Sequence, residues 1–343
     1  MVGKHTLLKL LTIPGAALTL SSITKTRATI FMLHRFSVPD LGITGHDPAA
    51  LRRNLAWLRK AGYHLTSLAD LIDRMRNGEP VQRSVAFTID DGYFDHAEIA
   101  APIFAEFDCP VTCFVTTGFL DQSVWFWWDR LMHTFEQTKR RELKARIGGH
   151  EVQYRWDSPD ERRKAWWDLN LRCQDASETD RLQCVEEFSR EAEVELPAAA
   201  PPRFAPMSWN TARRLESRGV MFGPHTVTHP VLGTTSPAQA EWEIAESWKS
   251  LSAEVTKPVP VFCYPNGRSH DVGDREIHAV RQLGLWGGLM AHPGELSHER
   301  FHRSQESRYR IPRFAYTDDL SQLLQCLSGV EQLKSRLRGR RKS

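Results

Sequence analysis

The chain has 343 residues, 41% of them hydrophobic and 25% charged, and a formal net charge of +3. These are the values of a soluble globular chain able to bury a core, and the charge carries no nucleic-acid signature. The length allows one large α/β domain or two smaller ones. The last ten residues hold six cations (Lys334, Arg336, Arg338, Arg340, Arg341, Lys342), which leaves −3 for the remainder. Such a tail reads as a solvated end, with weak attraction to an anionic membrane surface as the alternative.

The N-terminal residues 1–27 are apolar and basic. Leu10 to Leu20 is too short to span a membrane, lacks a clean cleavage site and is broken by Pro14-Gly15, so a cytoplasmic or membrane-peripheral location is expected over secretion. The six cysteines make no C-x-x-C pair. Cys113 and Cys263 fall in strand-like runs and read as small hydrophobes.

Ala28 to Leu33 reads as a buried strand that delivers His34-Arg35-Phe36 at its end. Asp47-Pro48 opens a helix with Leu51, Leu55 and Leu58 on one face, and Gly62 stops it. A second helix runs from about Ser67 to Arg76 and ends at Asn77-Gly78. Ser84 to Ile89 is β-branched, aromatic and apolar, a buried strand, and Asp90-Asp91-Gly92 follows it. Ala97 to Phe107 is helical, and Pro110 to Thr116 is another buried strand. Strand, helix and strand with short connections imply parallel pairing.

From about 121 to 202 the rhythm changes. The stretch is charged and Trp-rich (Trp125, Trp127, Trp128, Trp156, Trp166, Trp167), and its patterns are helical. It reads as an insertion whose tryptophans pack its own core, the alternative being that one or two form a flat wall suited to stacking on sugar rings.

Beyond it, Ser208 caps a helix and 219–223 is a short strand ending in Pro224-His225-Thr226-Val227-Thr228-His229-Pro230. Ser236-Pro237-Ala238-Gln239 reads as a capping box opening a helix to about Leu251. Val259 to Tyr264 is a strand, Arg275 to Leu283 a helix, Leu285 to Met290 a strand, and 309–314 a last extended segment before an amphipathic C-terminal helix. About seven strands alternate with helices, which favours an α/β fold of the deformed parallel (β/α)7 barrel type.

Every polar cluster follows a strand, so His34, Asp90, Asp91, His225, His229 and Tyr264 converge at one mouth of such a barrel. Two adjacent carboxylates repel unless a positive charge lies beside them, and two imidazoles with one carboxylate are a ligand set for a catalytic divalent ion. The His225/His229 pair has helical spacing, but Pro230 argues for a loop or a single turn.

Segments 87–92 and 223–232 resemble the double-Asp and H-T-x-x-H motifs of the polysaccharide deacetylases, carbohydrate esterase family 4, also called the nodulation-deacetylase homology domain. Phe262 to Gly267 resembles the family's Tyr-Pro segment. Met32 to Phe36 and Arg310 to Phe314 are similar to stretches of an exopolysaccharide-type branch. The resemblance covers about 28–120 and 203–316. It implies that Asp91, His225 and His229 hold a divalent metal, usually zinc, that Asp90 is the general base, and that the Tyr264 backbone N–H faces the oxyanion. It implies an N-acetylated poly- or oligosaccharide as partner, and the charge balance adds no expectation of nucleic acid.

Two departures from the family pattern concern the proton donor and the residue that orients the base. No late Leu-x-His motif fits; His292 sits in what reads as a connecting turn, and His34 is the better general acid. The Arg that precedes the Tyr-Pro segment in many relatives is missing. Arg313 can replace it by pairing with Asp90, or can be a rim salt bridge.

The resulting expectation is a metal-dependent hydrolase removing N-acetyl groups from amino-sugar units of a bacterial poly- or oligosaccharide. An O-acetyl carbohydrate esterase and a catalytically silent carbohydrate-binding relative are the alternatives. The expected organisation is a 1–27 segment, the deacetylase domain at 28–325 with its insertion at about 121–202, and a helix end and basic tail at 326–343. Oligomeric state is not legible.

Overall fold

The computed structural model describes residues 26–328. The apolar stretch Leu10 to Leu20, the basic tail, and the membrane association expected of them lie outside those residues. Among the described residues no helix is long and apolar enough to cross a membrane.

The central sheet is built from β1 (Arg27–Leu33), β2 (His64–Leu65), β3 (Ser84–Asp91) and β4 (Val111–Val115). β1 pairs parallel with β3 from Ala28↔Ser84 to Leu33↔Ile89, and β3 pairs parallel with β4 from Phe87↔Val111 to Asp91↔Val115. All eight residues of β3 are buried. An unbroken apolar run is what a parallel strand covered on both faces requires. β5 (Glu142–Ile147) and β6 (His150–Arg155) form a separate antiparallel hairpin, while β7 (Met221–Pro224) joins the far side of β4. β8 (Val261–Cys263) and β9 (Gly287–Leu289) make a two-stranded parallel sheet. β10 (Leu296–Ser297) lies antiparallel to β1, and β11 (Phe314–Ala315) lies parallel to it.

The result is an α/β fold around a parallel core. No regular ladder joins β7 to β8 among the described residues. Val259 N–H donates to Phe222 O (2.7 Å), and Leu289 bridges to Ile311, so the two sheets meet at isolated points rather than along strands.

Helices α1 (Pro48–Lys60) and α2 (Leu68–Arg76) begin at Asp47 and Ser67, whose side chains accept from Ala49 N and Asp70 N. Leu51, Leu55 and Leu58 of α1 are fully buried, and each such leucine is worth about 1.5–3 kcal/mol on leaving water. The expected 97–107 helix is split. A wider turn spans His96–Ala100 before α3 (Ala101–Glu106), because Pro102 has no N–H to continue a tighter ladder. The single turn α4 (Thr117–Leu120) follows β4.

Residues 127–196 carry a core of their own. α5 (Trp127–Gln137), the β5–β6 hairpin, α6 (Pro159–Asp175) and α7 (Glu178–Glu191) enclose Leu131, Phe135, Leu143, Leu169, Val185 and Phe188. The stretch is mostly helical, but the hairpin departs from the helical expectation. Leu143, Ala145 and Ile147 alternate with charged residues, the period of a strand with one buried face. Trp127 and Trp156 belong to this core, whereas Trp167 is 54% exposed.

The remaining helices are α8 (Trp209–Glu216), α9 (Pro237–Glu254), α10 (Asp274–Gln282), α11 (His298–Phe301) and α12 (Leu320–Leu327). Ser236 caps α9 by accepting from Gln239 N, but the Gln239 side chain does not complete the box. Its amide donates instead to Glu243 (3.2 Å) one turn on.

Candidate functional site

The chain turns at the end of β3, and the turn begins at Asp91. Asp91 has φ +90° and Gly92 has φ +101°. A side chain at 92 is excluded sterically as well, since a Cβ there would lie 2.6 Å from Leu120 Cδ1. Neighbours on a strand point to opposite faces. The left-handed backbone at Asp91 is therefore what brings its carboxylate to the side that Asp90 already faces.

The His225–His229 segment is a loop, as Pro230 requires. Thr226 and His229 both have positive φ (+66° and +61°), a conformation uncommon for residues other than Gly. The surroundings impose it. His229 N–H donates to Thr226 Oγ1 (3.0 Å), Thr117 N–H to Thr226 O (3.1 Å), and Gly118 N–H to Val227 O (3.0 Å). A Cβ at Gly118 would stand 2.6 Å from that carbonyl. From the other side, the fully buried Glu243 of α9 accepts Val227 N–H (2.7 Å), Thr228 N–H (2.9 Å) and the Thr228 hydroxyl (2.5 Å). Glu243 is not apparent in the sequence. The only signal for it is an acid placed among the apolar positions of an amphipathic helix.

Asp91, His225 and His229 converge, with one donor atom from each within 4.8 Å of the others. His225 Nε2 lies 3.7 Å and His229 Nε2 3.5 Å from Asp91 Oδ1. A carbonyl oxygen only accepts, so the 2.7 Å contact between His225 Nδ1 and Cys263 O places the ring proton on Nδ1 and leaves the Nε2 lone pair facing Asp91.

Burial pushes the His225 pKa down to about 4 and that of His229 well below the ordinary value. Burial, reinforced by the Asp90, Asp129 and Asp95 charges, pushes Asp91 well above the carboxylate range, against the pull of Arg35. Two neutral imidazoles beside a carboxylate driven toward protonation are a donor set short of a cation, and N,N,O donors of this kind fit a divalent metal. A second cluster of Asp90, His225 and Cys263 fits less well. Burial raises the Cys263 thiol well above its ordinary pKa, and it points a weak S–H at Asp90 Oδ2 (3.5 Å).

Asp90 is held differently. Arg313, on the segment leading into β11, donates from NH1 to Oδ1 (2.8 Å) and from NH2 to Oδ2 (2.7 Å). Its remaining donors reach Thr88 Oγ1 and Met290 O, both at 3.0 Å. Arg313 is 1% exposed, so the pair is an interior one and the rim-bridge alternative does not apply. Burial alone would raise the Asp90 pKa. The Arg313 charge and hydrogen bonds overcome it, with smaller help from His225 and His34, and keep Asp90 well below the usual range.

His34 lines the same recess as Asp90, Asp91, His225, His229 and Arg313, a cavity of about 550 Å³. Its ring opens into that space, yet protein crowds it enough for desolvation to lower its pKa; Asp90 opposes this and Arg313 adds to it. His292 is turned away. Its Nε2 meets Arg300 NH2 at 2.8 Å, and it does not line the recess.

Tyr264 also lines the recess. Its backbone N–H donates to Leu289 O (3.2 Å), continuing the β8–β9 pairing. It is therefore already engaged and does not present a donor to the recess. The Tyr264 ring packs with Phe262 in the core.

Several partners of the site escaped the sequence reading. Arg35 Nε donates to the buried Asp95 (2.9 Å), which also takes Phe36 N–H (2.6 Å) and fixes the chain beyond His34. Trp128 stacks on Phe126 (centroids 4.4 Å, 12°) and sets its edge against the His229 ring (4.8 Å). Its Nε1–H donates to Tyr93 Oη (3.0 Å), and Tyr93 donates to Asp129 (2.7 Å). The residues at the start of α5 thus buttress the His229 ring directly.

Comparison with known proteins gives a consistent picture. The polysaccharide deacetylase family matches residues 182–286, which include His225 and His229 but not the Asp90-Asp91 pair. Over 63 residues the chain is 38% identical to poly-beta-1,6-N-acetyl-D-glucosamine N-deacetylase of Escherichia coli K12, a match spanning 18% of this chain and 9% of that one. Its fold is similar to that of the Streptococcus pyogenes deacetylase PplD, solved in complex with acetate (TM-score 0.57, 17% identity, 88% of this chain and 99% of that one). It is also similar to IcaB from Ammonifex degensii (TM-score 0.52, 14% identity, 88% and 97%).

Proposed function

We propose that this chain, which carries a polysaccharide deacetylase domain, hydrolyses the acetamide of N-acetylated amino-sugar units in a poly- or oligosaccharide. The observation that carries the reading is the pairing within one recess of two differently held carboxylates. Asp91 sits with the two imidazoles of His225 and His229, and Asp90 is locked by Arg313. Similar residues in dissimilar environments divide acid–base labour.

A divalent ion held by Asp91, His225 and His229 would polarise the acetyl carbonyl and acidify a water. Asp90, ionised and fixed in direction by Arg313, accepts the proton of the attacking water. His34 opens into the same space and is the group placed to protonate the departing amine as the C–N bond breaks. The products are acetate and the free amine; Asp90 releases the proton it took from water, and His34 takes up a proton from solvent to replace the one it gave. Stabilisation of the developing oxyanion does not fall to the Tyr264 N–H in this scheme, because that donor is spent on Leu289. A catalytically silent carbohydrate-binding relative would have no use for Arg313 holding Asp90 ionised in the interior.

The test is acetate and free-amine release from N-acetylglucosamine oligomers by protein reconstituted with zinc, alongside acetylated xylan. Release of amine supports the reading. Release of acetate from the O-acetyl substrate alone would replace it with the esterase. No release from either, in protein shown to have taken up metal, would leave only a binding role.

A further inference from the structure

The wall of the recess opposite the Asp/His cluster comes from α6 of the 127–196 unit. Trp166, Asn170 and Gln174 are spaced i, i+4, i+8 and so form one stripe along that helix. All three, with Trp167 beside them, line the same cavity as His225 and His229. The adjacent stripe, Ala165, Leu169 and Cys173, is what anchors α6 in its own core. The C-terminal end of α6 is tied to the loop after β8, where Arg268 bridges Asp175 (2.7 Å) and Asp271 (2.8 Å). The wall therefore has a fixed position relative to the cluster.

Two features of this stripe are unexplained by folding. Asn170 is 7% exposed, and its Oδ1 is buried with no hydrogen-bond partner; Trp166 Nε1 is buried and equally unmatched. Buried polar atoms are normally satisfied, and each exception calls for a reason. Beside them the Trp167 indole stands 54% exposed, its ring 5.7 Å from that of Trp166. An acceptor, a donor and open aromatic faces on one wall match a pyranose ring, which has apolar C–H faces and hydroxyl or acetamido edges.

Resting on the deacetylase reading, we propose that α6 forms a subsite for a second sugar unit of the substrate chain. That unit stacks on the Trp167–Trp166 surface, donates a hydroxyl or acetamido hydrogen to Asn170 Oδ1 and accepts from Trp166 Nε1. The unit being deacetylated occupies the Asp/His end of the recess, so the site takes an oligomer in preference to a monosaccharide.

Binding is measured by calorimetry on the full chain carrying Asp90→Asn, with N-acetylglucosamine and its β-1,6- and β-1,4-linked tetramers as probes. The result expected is that one tetramer binds at least tenfold more tightly than the monosaccharide, and that Trp167→Ala and Asn170→Ala each remove most of this advantage. The exposed position of Trp167 protects its variant from misfolding, and a circular dichroism melt checks the Asn170 variant. Tetramer binding that is unchanged in both variants, or no tighter than the monosaccharide in the parent, overturns the subsite; so does failure of both tetramers to bind. The two readings fail separately when acetate release is assayed in parallel on zinc-reconstituted chains with Asp90 intact. There, release with a length dependence insensitive to Trp167→Ala and Asn170→Ala removes the subsite and keeps the hydrolase, whereas tetramer binding lost in Trp167→Ala without acetate release from any probe keeps the subsite and removes the hydrolase.

Discussion

Arg313 and Asp90 form a two-pronged ion pair in the interior, with hydrogen bonds of 2.8 and 2.7 Å and side chains 1% and 3% exposed. Removing one member of such a pair strands a buried charge and costs about 3–5 kcal/mol. Arg313→Ala is expected to lower stability by that order in urea titration, and to lose at least about a hundredfold in kcat because the base is then neither held nor kept ionised. Arg313→Lys restores the charge but not the fork. It should recover stability further than it recovers kcat, and equal recovery of the two would argue against an orienting role.

Metal removal separates the Asp91 cluster from the rest of the fold. A ligand bound only by the folded state stabilises it by about 2.7 kcal/mol at a hundredfold excess over Kd. Dialysis against a chelator should lower Tm and abolish amine release, and zinc should restore both. Asp91→Ala should show no zinc-dependent change in Tm. Asp90→Asn should keep that change while losing about 10²–10⁴ in turnover. A fully active Asp90→Asn protein would end its assignment as base.

Glu243 acts on the site through the 226–228 backbone. Glu243→Ala leaves two partly buried N–H groups without their partner, at up to about 1–3 kcal/mol each. With the loop no longer pinned, zinc affinity should fall about 10–100-fold, as for other lost outer partners of metal ligands. Competition with a chromophoric chelator measures it. An unchanged zinc affinity with lowered Tm would confine Glu243 to a structural role.

Asp129 has its pKa pushed up to about 7 by burial, against the Tyr93 hydrogen bond and the Arg35 and Arg203 charges. Unfolded, the group titrates near its ordinary value of about 3.9. The folded state therefore holds the proton more tightly. The resulting stability is fully present below pH ~4, falls as pH rises through about 7, and is level above. In metal-free protein the Tm of the wild type relative to Asp129→Asn should decline across that window. A difference independent of pH would show that Asp129 is not the titrating group.

Much of the fold is readable locally. The buried run of β3, the Asp47 and Ser67 caps and the Gly62 stop are decided by side chains within a few residues of one another, which is the range over which periodicity and capping act. The β5–β6 hairpin is less legible: β5 alternates, but β6 is mostly exposed and offers no matching apolar face, and the pair sits among helical patterns. The site divides the same way. Its residue types and their positions after strands are legible at Asp90-Asp91-Gly92 and at His225–His229. The engagement of the Tyr264 N–H is not, since it depends on where β9 lies.

By itself the amino-acid sequence determined the strands of the parallel core, their polar ends, and the presence of two carboxylates and two histidines suited to a cation. It could do so because each is a property of a short stretch. The tertiary structure alone decided which distant groups meet those ends. Arg313 reaches Asp90 across 223 residues of chain, Glu243 rises from α9 to hold the histidine loop, and α6 is swung against the recess by packing of its own separate core. Such meetings depend on register, burial and crossover geometry summed over the whole chain, and no local pattern encodes them.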